Sequence, residues 1–244
     1  MSIVQHHPFG AYLELEHTVI RLNGLGVVTS EARAEFQRWH STLRFKLDCA
    51  DHYFDETSKY DRNLSSAIAE GIPPVVFHHL NRALDSFLSC LFSAQDVLAK
   101  ELNFVYGDPM AGTDRWNLTT LRERFKGLAG ARPAIASVTT ILDTALDRNL
   151  TPLPPLLEIR DYRSAATHEM LIPTTELTIL SGGTGSSASA KLYLPDASSS
   201  LQCTRVKELC PTCANWFADQ LGCFDQIYRA LDQEIQAHKS VPLP

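Results

Sequence analysis

No run of about eighteen apolar residues occurs anywhere in the 244-residue sequence, so no membrane-spanning helix is expected. The opening residues, Met1-Ser2-Ile3-Val4-Gln5-His6-His7-Pro8, have neither a charged n-region nor an apolar core, and no secretory signal is expected. Cysteine is sparse. Cys49, Cys90, Cys203, Cys210, Cys213 and Cys223 are too few for a disulfide scaffold in a chain this long, which points to reduced thiols in a cytoplasmic setting. Positive charge is also short, with 22 Lys and Arg against 28 Asp and Glu, a net charge of −6 and a pI near 5.8. A general nucleic-acid binder carries a basic surface that releases counterions from phosphates. Any RNA contact here must be local, or built where two copies meet. Internal repeats and a clear interdomain linker are absent as well, so residues 1–244 read as one domain.

What is present is a core. Hydrophobic residues make up 44% and charged residues 20%, the balance of a globular chain. Residues 1–28 read as a lead-in segment, broken at Asn23-Gly24-Leu25-Gly26. Thr29-Ser30-Glu31 is a helix start, with a hydroxyl placed to cap free backbone donors. From residue 32 to about 60, Phe36, Trp39, Leu43, Leu47, Ala50 and Phe54 recur at steps of three and four, the period of one helical face. Pro73-Pro74 opens the next helix, carried by Leu80, Leu84, Phe87, Leu88, Leu91 and Leu98 and stopping near Gly107-Asp108-Pro109. Shorter helices are expected over 118–128, from Pro133 to about Asn149, and from Pro152–Pro155 to about Glu169.

The character then changes. Leu177-Thr178-Ile179-Leu180 and Lys191-Leu192-Tyr193-Leu194 are short and β-prone, and Ser181-Gly182-Gly183-Thr184-Gly185-Ser186-Ser187 between them is flexible. The expectation is an inserted hairpin with a long mobile tip within residues 174–200, against the alternative of an unstructured insertion. A long helix from about Val206 to Ala237 follows, with Pro211 in or before its first turn. The fold class is therefore all-α, a mostly antiparallel helical bundle with a small inserted β-hairpin.

One helix carries a pattern with chemical meaning: Ile159-Arg160-Asp161-Tyr162-Arg163-Ser164-Ala165-Ala166-Thr167-His168-Glu169. At about 100° per residue, Ile159, Tyr162, Ala166 and Met170 share the inward side. Arg163 and His168 border the other side, with Arg160, Ser164 and Thr167 between them. An arginine fork clamps a phosphate and stabilises charge developing on it, and a histidine exchanges a proton near neutral pH. Together they suit cleavage of RNA by attack of a ribose 2′-hydroxyl on the neighbouring phosphorus. The same residue types also lace ordinary solvated helix faces.

This segment resembles the R-x4–6-H signature of the HEPN superfamily (higher eukaryotes and prokaryotes nucleotide-binding), with Arg163 and His168 at the two motif positions and four residues between. The "IRDYR" lead-in and the Glu after the His agree. Ser164 stands where the family often has Asn, Asp or His. The resemblance implies a helical bundle that dimerises with its motifs facing each other, and a metal-independent endoribonuclease, often a toxin or defence effector, that needs no cofactor. Arg163, His168 and Ser164 would then be catalytic, and Arg160, Tyr162 and Thr167 would bind substrate. It equally implies an alternative, since some members are non-catalytic modules that bind a nucleotide or a protein partner such as an antitoxin. The acidic charge and Ser164 favour the alternative, and the intact Arg/His pair favours the nuclease.

Other candidates carry less. Cys203, Cys210, Cys213 and Cys223 include a Cys-Pro-Thr-Cys and would suffice for a tetrahedral zinc, but no second C-x-x-C is present and Cys210 and Cys213 fit an apolar helix stripe. No metal site is assigned. His6-His7 and His78-His79 lack partners at ligand spacing, and Asp51-His52 with Asp55-Glu56 reads as a solvated face. Gly182-Gly183-Thr184-Gly185 has no Lys-Ser or Lys-Thr after it, so it is not a phosphate loop.

Overall fold

A computed structural model describes residues 10–24, 29–70, 74–105, 117–129, 135–169, 174–182, 185–194 and 207–237. Among the described residues, seven helices and three strands follow one another as α1 (Gly10–Gly24), α2 (Ser30–Glu70), α3 (Pro74–Val105), α4 (Leu118–Ala129), α5 (Ala136–Ala145), α6 (Pro155–Glu169), β1 (Thr174–Gly182), β2 (Gly185–Leu194), β3 (Lys207–Glu208) and α7 (Leu209–Ala237). The chain is thus all-α with a small β-hairpin. No helix among the described residues is long and apolar enough to cross a membrane.

The two longest helices, α2 and α3, pack along each other because each carries an apolar stripe at helical spacing. Phe36, Leu43, Leu47 and Ala50 are buried on α2, and Leu80, Leu84, Phe87, Leu88, Leu91, Leu98 and Leu102 on α3. Each such leucine or phenylalanine contributes about 1.5–3 kcal/mol on burial. One continuous cluster takes in residues from all seven helices and from β2. Thr29 caps α2 as expected: its Oγ1 accepts the N–H of Ala32 at 3.1 Å. Asn117 does the same for α4, accepting the N–H of Thr120 at 2.9 Å.

The structure departs from the sequence reading in five places. Residues 10–24, read as part of a lead-in, form helix α1, which buries Tyr12, Leu15 and Val19. Its stripe is blurred by Leu13 and Ile20, which point to solvent. Helix α2 runs ten residues past Tyr60, to Glu70. The polar run near 59–63 does not stop it, because helical partners satisfy it: Lys59 pairs with Glu56, and Arg62 Nε donates to the Ser58 carbonyl at 3.2 Å. Helix α5 ends early, at Ala145, where Asp147 accepts the N–H of Asn149 at 2.9 Å and turns the chain. The supposed mobile tip of the hairpin is mostly paired, with Ser181 opposite Ser186 and Gly182 opposite Gly185. Within that tip only residues 183–184 lie outside the described ones. The fifth departure is β3, which pairs with Tyr193 and Leu194 just before α7, so the sheet has three strands in the order β1-β2-β3. Val206 and residues 195–200 lie outside the described residues. The hairpin is fastened through Leu192 and Leu194, both buried, against α2 and α7. Pro211 sits in the first turn of α7, where its missing N–H costs nothing.

Candidate functional site on helix α6

Helix α6 starts cleanly. The Pro154 carbonyl accepts the N–H groups of Leu157 and Glu158, each at 3.0 Å, and Pro155 takes the first helical position. Its inner side, Leu156, Leu157, Ile159 and Tyr162, is buried. Polar bonds fix its height and rotation. Gln95 Nε2 of α3 donates to the Leu156 carbonyl at 3.4 Å and to Gln220 Oε1 of α7 at 3.0 Å, and Gln220 Nε2 donates to the Leu91 carbonyl at 3.1 Å. Glu158 accepts from Trp216 Nε1 at 2.6 Å and from Lys207 Nζ. Arg148 holds Asp161 with two hydrogen bonds at 2.9 and 3.2 Å. The helix is therefore a rigid support for whatever its outer side does.

The described members of the predicted site differ in burial and in partners. Tyr162 is a core residue, 3% exposed, its ring 4.8 Å from that of Trp216. Ser164 is exposed, and Arg160 and Arg163 are half-buried. Thr167 and His168 belong to the last turn of α6, but their side chains lie outside the described residues, as does Met170. The two arginines part company. Arg160 Nη1 donates to Thr119 Oγ1 of α4 at 3.1 Å, whereas the Arg163 guanidinium lies over the Phe92 ring of α3, 5.1 Å from its centroid.

Sequence reasoning missed Asp96. It lies one turn beyond Phe92 on α3 and is half-buried. Burial pushes its carboxyl up to about 6, against the pull of Lys100, Arg160 and Arg163. Those three cations act on it through space, with Lys100 one turn further along α3 and its ammonium 5.1 Å from the centre of the Trp39 ring. The signal available in the sequence was the i, i+4 run Phe92-Asp96-Lys100 along one side of α3.

Arg160 also borders a polar cleft of about 480 Å³ between α4, α5 and α6. Its other cations are engaged: Arg122 donates to the Leu146 carbonyl at 2.7 Å, Lys126 pairs with Asp143 at 2.8 Å and Arg148 with Asp161. Arg160 alone among these cleft cations is held by a neutral hydroxyl.

A second polar cluster, also missed, sits deep in the core. His40 Nδ1 lies 2.7 Å from Glu101 Oε1, and His40 Nε2 lies 3.1 Å from the Tyr12 carbonyl. A carbonyl only accepts, so Nε2 carries a proton, and one further proton is held between Nδ1 and Oε1. Tyr228 donates to Glu101 Oε2 at 2.7 Å, and Tyr12 donates to the His40 carbonyl at 2.9 Å. Burial and the Glu101 charge push both tyrosine hydroxyls well above their ordinary range. His40 and Glu101 are 2% and 0% exposed, so solvent and ligands do not reach them.

Cys210, Cys213 and Cys223 are held as thiols by burial. Burial pushes Cys223 and Cys210 up to about 12, the latter helped by Asp61, and holds Cys213 well above the usual thiol range. Cys203 and His6-His7 lie outside the described residues. Among the described residues, no three His, Cys, Asp or Glu side chains converge to hold a metal ion. His78 and His79 are exposed, and His52 leans on Tyr53 with ring centres 5.2 Å apart. Comparison with known protein families, curated proteins and solved structures finds no match for this chain.

Proposed function

We propose that the chain is a HEPN-like, metal-independent endoribonuclease that acts as a dimer. The observation that supports this reading best is the construction of α6: an inner side locked into the core, and an outer side offering Arg160, Arg163 and Ser164 ahead of His168 in the last turn. In this reading Arg163 holds a phosphodiester and stabilises its developing charge. The ribose 2′-oxygen bonds to phosphorus, the bond to the 5′-oxygen breaks, and His168 passes the proton between them. The products are a 2′,3′-cyclic phosphate and a 5′-hydroxyl. Arg160, Ser164 and Thr167 orient the strand, and Tyr162 serves from beneath by holding the helix against Trp216. Pairing two copies through α6 doubles the local positive charge that this acidic chain otherwise lacks.

The test is cleavage of a mixed RNA pool by purified protein in EDTA, beside folded Arg163→Ala and His168→Ala variants. The expected outcome is fragments with cyclic phosphate ends from the wild type, and a loss of roughly 100-fold or more in each variant. Absence of cleavage by folded wild type, or equal cleavage by all three, replaces the nuclease with a non-catalytic module, and capture of a protein or nucleotide partner becomes the next measurement.

A further inference from the structure

We propose that Cys49 of α2 and Cys90 of α3 form an oxidative modification site: a hydroperoxide converts the two thiols into a disulfide that staples the two longest helices together, and a thiol reductant releases it. The proposal goes beyond the reading of α6 and needs no part of it.

The register of the two helices sets the sulfurs opposite each other. Helices α2 and α3 pack antiparallel, so a step forward on one goes with a step back on the other. The Lys100 ammonium lies 5.1 Å from the centre of the Trp39 ring, Phe54 and Phe87 have ring centres 6.0 Å apart, and Tyr60 stacks on His79 at 6.4 Å. Cys49 is ten residues after Trp39, and Cys90 is ten before Lys100. Cys49 is likewise eleven residues before Tyr60, and Cys90 eleven after His79, about three helical turns on each helix. The cysteines therefore form a rung of their own between two rungs that are in contact. A hydrogen bond between the two thiols agrees with that placement.

The rung lies on the rim of the seam. Both cysteines are half-buried, as are Lys46 and Tyr60, and His79 is exposed, so a small oxidant has access. The C-x-x-C pair of α7 differs, because Cys213 is fully buried. Cys90 packs against the core, and burial pushes its thiol up against the pull of Lys46, one turn before Cys49. Cys49 is therefore the first sulfur to react. Its thiolate attacks a peroxide oxygen: the S–O bond forms, the O–O bond breaks, and the leaving oxygen takes up a proton. The Cys90 sulfur then attacks the Cys49 sulfur: the S–S bond forms, the S–O bond breaks, and hydroxide leaves with the Cys90 proton as water. Two thiols are oxidised, and the hydroperoxide is reduced to an alcohol and water, or to two waters from hydrogen peroxide. The link closes the chain between residues 49 and 90 and so restricts the unfolded state more than the folded one.

The probe is hydrogen peroxide in slight excess over the reduced, purified whole chain. After free thiols are blocked, peptide mapping is expected to find a Cys49–Cys90 link within one chain, which dithiothreitol removes. The oxidised protein is expected to melt about 5–15 °C above the reduced one. In Cys90→Ser the sulfenic acid at Cys49 has no partner and should be trapped by dimedone, and in Cys49→Ser trapping at Cys90 should be at least about tenfold lower. Should a serine variant fail to fold, Cys49→Ala or Cys90→Ala takes its place. Absence of the link overturns the proposal, as does a link that runs through Cys203 or between two chains. A Cys49–Cys90 link that fails to raise the melting midpoint overturns it as well, because sulfurs already opposite each other need no displacement of their helices. None of these measurements involves RNA, so the nuclease stands or falls separately.

Discussion

Two clusters in this molecule set a carboxylate among basic groups, and they are built on opposite plans. In the His40–Glu101 cluster every partner is in direct contact: both ring nitrogens of His40 and both oxygens of Glu101 are engaged, by four helices between them. At the α3–α6 face, the half-buried Asp96 carboxyl feels Lys100, Arg160 and Arg163 through space, Arg160 Nη1 donates to Thr119 Oγ1 and the Arg163 guanidinium lies over the Phe92 ring. The first arrangement spends its hydrogen-bonding capacity on the fold. The second holds its carboxyl half-buried under the pull of three cations, at a partly open position. A buried acid and base in contact is therefore poor evidence of function here, and an acid and bases held slightly apart is better evidence.

The largest expected effect breaks the first cluster. Glu101→Ala leaves His40 buried beside an empty space and should cost about 3–5 kcal/mol of stability, read from chemical denaturation. A loss below about 1 kcal/mol would show that the cluster is not the pin described above. A smaller effect, of opposite sign, is expected at Asp96. Its carboxyl is raised from the ordinary 3.8 to about 6, so the folded chain binds that proton more tightly than the unfolded one. Stability from this group is fully present below about 3.8 and is lost as pH rises through 6. Asp96→Asn should therefore be more stable than wild type by about 1–2 kcal/mol at pH 7.5, after discounting for solvent screening, and no more stable below pH 4. The smallest effect sharpens the contrast. Arg163→Met removes the cation–aromatic contact with Phe92 and should change stability by less than about 1 kcal/mol, read from chemical denaturation.

The sequence showed the helices whose apolar residues repeat without interruption. Phe36, Leu43 and Leu47 mark α2, and Leu80, Leu84 and Leu91 mark α3, because a single core-facing stripe needs only local spacing. Helix α1 was hidden because two of its apolar residues, Leu13 and Ile20, face solvent and spoil that spacing. The hairpin was recognisable from Leu177–Leu180 and Lys191–Leu194, but its reach was not, since pairing between Ser, Ala and Gly residues depends on backbone register and leaves no apolar trace. The site was visible only along one helix. Arg160, Arg163 and Ser164 could be placed on an outer side by arithmetic, but Asp96 is 67 residues before Arg163 and joins it only when α3 packs against α6. His40 and Glu101 are 61 residues apart and share no motif, so long-range packing alone unites them.

Helix α1 has a consequence for how the chain is made. It packs on α7, and Thr18 Oγ1 donates to Asp232 Oδ1 at 2.5 Å across 214 residues of sequence. At synthesis rates of about 5–20 residues per second, roughly 10–40 s separate the emergence of Thr18 from that of its partner. During that interval α1 lacks its α7 partner, while the stacking of Tyr12 on His40 at 3.5 Å joins it to α2. Glu101 is synthesised next and Tyr228 last, so the His40–Glu101–Tyr228 contacts cannot all be in place until almost the whole chain has been made.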